Sequence, residues 1–391
     1  MTLDILMIGW ELPPHISGGL GVACFGLSRA LSATAGMRLT FAMPKPLRDE
    51  QAPFMDLVPL PPAADQAPAG NAYGGNMISA VFAYGARIDA MALARRPHIV
   101  HGHDWLSIPA LLQARRAFGV PALLHVHSTE YERASSCPDP AIVEIERFGF
   151  SMVDHIAAVS AATRRVLIER YGVAADKVTT VHNGIARGTD TAPGMARKYV
   201  TFVGRMTAQK GAVDFLAAAV SCLRRNPGLR FVMAGDGDQL AELKRRAVAY
   251  GVADKVCFPG FLDQEEVVSL LDQSVVFVMP SLYEPFGLVA LEAVQRAVPV
   301  IISENSGVAE ILAHAIKVPP ADAGALAHWI GRLTDDAQLR ASLVQGAARD
   351  LDTMTWERAA AAVGTLYAAL RAGDIAGARD AATVAAMVPP G

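Results

Sequence analysis

The sequence predicts an α/β protein made of two doubly wound halves, each built on a buried parallel sheet. Short apolar runs alternate with longer stretches of helical period, the rhythm of strand–helix–strand units. The runs are near-continuously apolar, as strands covered on both faces require. They fall into two series, and at about 150 residues per domain a chain of 391 residues has room for two domains.

The first series comprises Leu3–Gly9, Met37–Met43, His98–Gly102, Pro121–His127, Asp154–Ser160 and Lys177–His182. Helical period marks Leu20–Ala33 and Met77–Arg96. Pro44–Gly75 is rich in Pro, Gly and Ala without a period, and a long surface loop is expected there. Asn183–Arg197 is polar and aperiodic, and the interdomain linker is placed in it. The alternation restarts with Tyr199–Gly204, Leu229–Gly235, Val256–Gly260, Val275–Met279 and Pro299–Ser303. Helices are expected over Lys210–Arg225, Gln239–Tyr250, Leu288–Arg296 and, last, about Trp356–Arg371. This gives a first domain over 1–190, a second over 191–355, a closing helix over 356–371 and an Ala-rich, weakly ordered tail over 372–391.

Composition narrows the partners. Basic and acidic residues number 35 and 38, net −3, and the Arg pairs are scattered, so no nucleic-acid partner is expected. Cys24, Cys137, Cys222 and Cys257 lie far apart with no CxxC spacing and read as reduced thiols. No signal peptide is evident, and no uncharged apolar run reaches the roughly 18 residues of a spanning helix. A cytoplasmic protein is expected.

Several strand ends carry chemistry. The first opens a helix through Ser17-Gly18-Gly19-Leu20-Gly21, a Gly-rich turn able to offer backbone N–H groups to a phosphate. The dinucleotide spacing is wrong, and no acid follows about 20 residues on, so no nicotinamide cofactor is expected. His101-Gly102-His103-Asp104 and His125-Val126-His127 each end a strand with two imidazoles on one face. A metal site would want further ligands at later strand ends, and His155 begins a strand; a single functional His in the second pair is the preferred reading. Arg205 and Lys210 follow the first strand of the second half, where a bidentate guanidinium and a mobile ammonium can grip one phosphate group. Asp236-Gly237-Asp238 has a metal-binding spacing, but in a strand–helix turn Asp238 is expected to cap the helix. Glu284 precedes a helix opened by Pro285 and Gly287, whose N–H groups at Phe286–Leu288 could meet a phosphate. Glu292 lies on that helix among apolar neighbours, a carboxylate suited to two adjacent ribose hydroxyls.

Together these residues resemble retaining glycosyltransferases of family 4, on the bacterial glycogen-synthase-like side. The matching positions are Trp10-Glu11-x-Pro13-Pro14 with Gly18-Gly19-Leu20-Gly21, His101-Gly102-His103-Asp104-Trp105 and His127-Ser128-Thr129-Glu130-Tyr131-Glu132-Arg133. Val181-His182-Asn183-Gly184-Ile185, Gly204-Arg205 with Lys210-Gly211, Gly260-Phe261-Leu262 and the Glu284…Glu292 pair continue the match in order, from Leu3 to about Arg371. The resemblance implies the GT-B fold, two Rossmann-like domains facing a cleft, the first for the acceptor and the second for the donor, with the last helix crossing back to the first.

It also implies roles. Arg205 and Lys210 neutralise the donor diphosphate in place of a metal, so no cofactor is expected and the nucleotide sugar is a co-substrate. Glu292 holds the ribose, the backbone near Leu262 the base, and Gly18 and Gly19 the phosphates. Glu284 sits by the donor sugar, with Phe286, Gly287 and Leu288 on the donor side. His127 contacts the transferred hexose, expected to be glucose, while Asp104 and Glu130 belong to the acceptor side. The acceptor is a carbohydrate or glycan, and transfer is front-side with retention. Glycogen and starch synthases that use ADP-glucose carry Lys-x-Gly-Gly-Leu at the first loop; Ile16 stands at the Lys position here, leaving UDP, ADP and GDP open. The competing readings are a metal-dependent hydrolase on the two HxH pairs, a GT-B sugar-nucleotide 2-epimerase, and an inactive carbohydrate-binding relative.

Overall fold

The computed structural model describes residues 2–16, 18–45, 52–61, 77–91, 93–134, 137–186 and 197–373. The chain divides into two compact units, one of Met1–Tyr131, Ser136–Ala186 and Met354–Gly391, the other of Glu132–Ser135 and Arg187–Thr353. Residues 187–196 of the expected linker and 374–391 of the expected tail lie outside the described residues.

In the first unit β1 (Leu3–Ile8), β2 (Met37–Met43), β3 (Asp56–Pro59), β4 (Ile99–His103), β5 (Ala122–Val126), β6 (His155–Ala158) and β7 (Val178–Thr180) form one sheet. Every pairing is parallel, in the order β3-β2-β1-β4-β5-β6-β7. The connecting helices are α1 (Gly19–Ser32), α2 (Met77–Ala86), α3 (Asp104–Phe118), α4 (Glu130–Ala134, whose residues from Glu132 on group with the other unit), α5 (Pro140–Met152) and α6 (Ala161–Tyr171). Residues of β4 and β5 are buried throughout, His included, because helices cover both faces of the sheet.

The second unit repeats the plan with β8 (Tyr199–Val203), β9 (Arg230–Ala234), β10 (Val256–Gly260), β11 (Ser274–Met279), β12 (Val300–Ser303) and β13 (Ile316–Val318). The sheet is again parallel, ordered β10-β9-β8-β11-β12-β13. Its helices are α7 (Ala212–Arg225), α8 (Leu240–Ala249), α9 (Gln264–Asp272), α10 (Leu288–Gln295), α11 (Ala323–Asp335) and α12 (Ala337–Leu351). Phe202, Phe215 and Phe231 centre its core.

The last helix, α13 (Trp356–Ala372), rejoins the first unit and packs on α1. Gly26 lies so close that a Cβ there would stand 2.2 Å from the Trp356 ring. The re-entry is stitched at Ile185, whose N–H donates to the Met354 carbonyl and which bridges Thr355. Gly184 makes this possible, since a Cβ would lie 2.2 Å from the Thr355 backbone.

Three expectations need correction. Pro44–Gly75 is not all loop: Asp56–Pro59 pairs with β2 as an edge strand, where a terminal Pro is tolerated. The helix expected over Met77–Arg96 ends at Ala86 and gives way to a 3₁₀ turn at Ile88–Ala90. Gly85 weakens it there, retained because a Cβ would meet Pro109 of α3 at 2.9 Å. Ile316–Val318 adds a strand that the sequence reading did not contain. No helix among the described residues is long and apolar enough to cross a membrane.

Candidate active site

Strand order reverses between β1 and β4 in one unit and between β8 and β11 in the other. In open α/β sheets ligands bind outside the carboxyl ends of the strands at such switch points. The sequence-selected residues fall at these ends in both units.

In the second unit the loops leaving β8 and β11 are laid together by Gly211, which adopts φ +69° and would drive a Cβ to 2.2 Å from the Pro280 carbonyl oxygen. Lys210 Nζ then reaches both Glu284 carboxylate oxygens at 2.9 and 2.7 Å, and Ser281 Oγ donates to Glu284 Oε2 at 2.9 Å. Glu284 is 8% exposed, so its charge relies on these two partners. The exposed Arg205 sends Nη2 to Gln209 Oε1 at 3.2 Å. Gln209 Nε2 donates to the Tyr283 carbonyl at 3.1 Å, and its own carbonyl accepts from Leu282 N at 2.8 Å.

Around this core α10 begins at Leu288, with Gly287 as N-cap and no side-chain cap; the buried Phe286 is held through its carbonyl by Val308 N. Glu292, one turn into α10, accepts from Gln264 Nε2 at 3.2 Å. Desolvation raises the Glu292 pKa, and the Gln264 hydrogen bond opposes that rise. Leu262 packs on Val232, Ala234 and Leu270 beside the capping box of Asp263 and Glu266, which fixes the loop before α9. Asp238 does not cap α8: the N-cap is Gln239, without a side-chain bond. The Asp236 carbonyl instead accepts from Met206 N, and Gln239 N donates back to the Met206 carbonyl, so this turn is tied to the loop carrying Arg205.

In the first unit Gly18 is the N-cap of α1, with open space where a Cβ would stand, and Gly19 is its first residue. His101 and His103 on β4, His125 on β5 and His127 just after it bring their rings together on one side of the sheet. Ring centroids of His101 and His103, and of His125 and His127, are 4.5 Å apart. His103 Nδ1 and His127 Nε2 share a hydrogen bond of 3.1 Å, and His101 Nδ1 meets Tyr367 Oη of α13 at 2.6 Å. Burial holds all four rings neutral, with the His127 pKa lowered to about 3.

Asp104 has φ +56° and is 5% exposed. Its Oδ1 accepts from His127 N at 2.6 Å and Ser128 N at 3.1 Å, which sets the backbone at His127. Glu130 Oε1 accepts from Asp139 N at 3.0 Å, while Glu146 caps Glu130 N with both carboxylate oxygens. Both acceptor-side candidates thus hold backbone. Cys24, His103 and His127, and likewise His101, His103 and His125, place possible ligand atoms within 4.8 Å of one another. Within these groups the His103 and His127 ring planes differ by 27° and the His101 and His125 planes by 8°.

Residues 17–187 match the family model described as Glycosyltransferase Family 4, and residues 190–350 match Glycosyl transferases group 1. Glycogen synthase of Mycobacterium tuberculosis is 30% identical over 409 aligned positions, covering 95% of this chain and 96% of the relative. The chain belongs to the group 1, family 4 glycosyltransferases. Among solved structures, sucrose-phosphate synthase from Thermosynechococcus elongatus superposes with a TM-score of 0.76 at 23% identity, over 95% of this chain and 100% of the other. The Anabaena protein HepE, solved with UDP and glucose, gives 0.72 at 16% identity over 94% and 99%. These likenesses confirm the GT-B class of the fold.

Membership makes this glycosyltransferase an enzyme of the hexosyl-transferring type and sets aside the hydrolase, epimerase and inactive-relative readings. Of the residues the sequence singles out in the second half, Lys210 and Glu284 meet as an ion pair, and Arg205 contacts Gln209. The sequence reading had not found Gln209, Gln264 or Tyr367. Each acts through a contact spanning 28 to 266 positions or through a side chain with no charge to flag it.

Proposed function

We propose that this glycosyltransferase transfers a hexose, glucose in the first instance, from a nucleoside-diphosphate sugar to a carbohydrate or glycan acceptor, with retention and without a metal. The observation that carries the reading is the Arg205–Gln209–Lys210–Glu284 cluster at the β8/β11 switch point. It supplies two cations beside the uncapped start of α10, a combination suited to a diphosphate. As the sugar–phosphate bond breaks, negative charge grows on the leaving diphosphate, and Arg205 and Lys210 stabilise it. In front-side transfer the acceptor hydroxyl forms the new glycosidic bond on the face the diphosphate leaves. The leaving oxygen takes the hydroxyl proton.

Glu292, oriented by Gln264, is assigned to the ribose hydroxyls, and the loop at Leu262 to the base. Gly18 and Gly19 are assigned to the phosphates, Glu284 and His127 to the transferred sugar. Neutral His127 is suited to a hydrogen bond with a sugar hydroxyl. Asp104 and Glu130 act on the acceptor side through the backbone they hold. UDP-glucose leads the donors to be tried, because HepE was solved with UDP and glucose; ADP- and GDP-sugars complete the panel. The four cysteines are free thiols, in keeping with a reducing cytoplasm.

The test is steady-state kinetics with the preferred donor. Arg205→Ala and Lys210→Ala are each expected to lower kcat on the order of 10²-fold, as loss of one preorganised electrostatic group does. Glu292→Ala is expected to act mainly on donor KM. Wild-type kcat in both cation variants, or activity abolished by EDTA and restored by Mg²⁺, would refute the proposal.

A further inference from the structure

We infer that Gln209 is a positioning residue of this enzyme, one that holds the Arg205 guanidinium in the orientation required by the leaving diphosphate. The inference rests on the phosphate role proposed for Arg205. Gln209 is 5% exposed although its side chain is an amide, and a buried amide needs partners for both ends. Both ends are used, and they face different loops. Nε2 donates to the Tyr283 carbonyl at 3.1 Å on the β11 side, and Oε1 accepts from Arg205 Nη2 at 3.2 Å on the β8 side. Its main-chain carbonyl accepts from Leu282 N at 2.8 Å, so the residue is anchored to the β11 loop twice.

Arg205, in contrast, is exposed, and a free Arg side chain samples many rotamers. A hydrogen bond donated to an immobile acceptor selects among them before the nucleotide sugar arrives. The adjacent Lys210 receives the same service from Glu284, at 2.7 Å. The two cations are therefore oriented by different chemistry. Glu284 is charged and lowers the net field of its cation, whereas the Gln209 amide orients Arg205 and leaves its full charge for the diphosphate.

The experiment is a double-mutant cycle on kcat and donor KM, with thermal midpoints as a fold control. Gln209→Met, similar in length but without hydrogen bonds, is expected to lower kcat about tenfold, the worth of one hydrogen bond to a charged group, with donor KM changed less than about threefold. In an Arg205→Ala background the same substitution is expected to change kcat less than about twofold, since the group it positions is gone. Gln209→Glu keeps the length but sets a negative charge against Arg205 and loses the donor to the Tyr283 carbonyl, so it is expected to lower kcat about tenfold or more, and to do so only while Arg205 is present. It also serves if Gln209→Met folds poorly. Losses that multiply in the double variant, or a Gln209→Met or Gln209→Glu enzyme with wild-type kcat, would overturn the positioning role. An Arg205→Ala enzyme with wild-type kcat would instead sink the phosphate assignment beneath it.

Discussion

In the first unit the carboxyl ends of β4 and β5 present four imidazoles, and in the second those of β8 and β11 present a charged pair and a guanidinium. Strand order and switch point are the same in kind, yet the electrostatics differ. The imidazoles, three of them buried and His127 half-buried, are held neutral by desolvation and need no counter-ion. Lys210 and Glu284 form an ion pair, with side chains 20% and 9% exposed, and depend on each other. One unit avoids charge by desolvation; the other keeps it by pairing. Their responses to protons and to substitution should therefore diverge.

The largest divergence is expected in acid. A histidine whose folded pKa lies below its unfolded value of about 6.5 binds its proton more readily when unfolded. Its contribution to stability is complete above that pH and falls as pH drops towards the folded value, about 3 for His127. Each imidazole kept neutral costs on the order of 1.4 kcal/mol per pH unit below about 6.5. Hydrogen exchange resolved along the chain should show the first unit losing protection between neutral pH and pH of roughly 5 while β8–β12 stay protected. Loss in both units together would break the comparison.

Next in size is the charged pair. Lys210→Ala leaves a buried carboxylate with Ser281 as its hydrogen-bond donor in the cluster, and should cost about 3 kcal/mol in denaturant unfolding. Adding Glu284→Ala should recover part of that loss, because the stranded charge is removed with its partner. If the double variant is less stable than Lys210→Ala, the pair is not the reason. A smaller effect tests the neutral cluster: Tyr367→Phe removes the 2.6 Å contact with His101 and should cost roughly 1–2 kcal/mol, read as a lower thermal midpoint of the first unit. The smallest falls on ribose recognition. Gln264→Ala should raise donor KM roughly two- to tenfold at unchanged kcat, by releasing the Glu292 carboxylate.

Sequence patterning reached most of the architecture because buried parallel strands are apolar without interruption, and that signal is local. It failed at the sheet edges. Asp56–Pro59 and Ile316–Val318 are short, and their strand character comes from one neighbour's backbone. The helix over Met77–Arg96 was overextended since periodicity runs on past Gly85, while the fold uses Gly85 for contact with Pro109. In the site, charged residues in strand–turn–helix frames were legible as Arg205, Lys210 and Glu284. The amides that orient their neighbours were not, because Gln209 is buried only by the facing loop and Gln264 is an exposed, uncharged residue. Asp238 was misread as a cap because the turn between β9 and α8 is fastened by backbone to Met206.

The stitch at Ile185 and Thr355 has a consequence for biosynthesis. The chain leaves the first unit after Ala186 and returns at Met354, so residues 187–353 are an insertion whose exit and return are adjacent in the host. During translation the inserted unit has nearly all of its sequence available as one uninterrupted stretch. The host lacks α13, and with it the Trp356 contact at Gly26 and the Tyr367 partner of His101, until the ribosome has passed the insertion. The earlier-synthesised unit is therefore the later one to reach its native state, and its α1 surface remains uncovered during that interval.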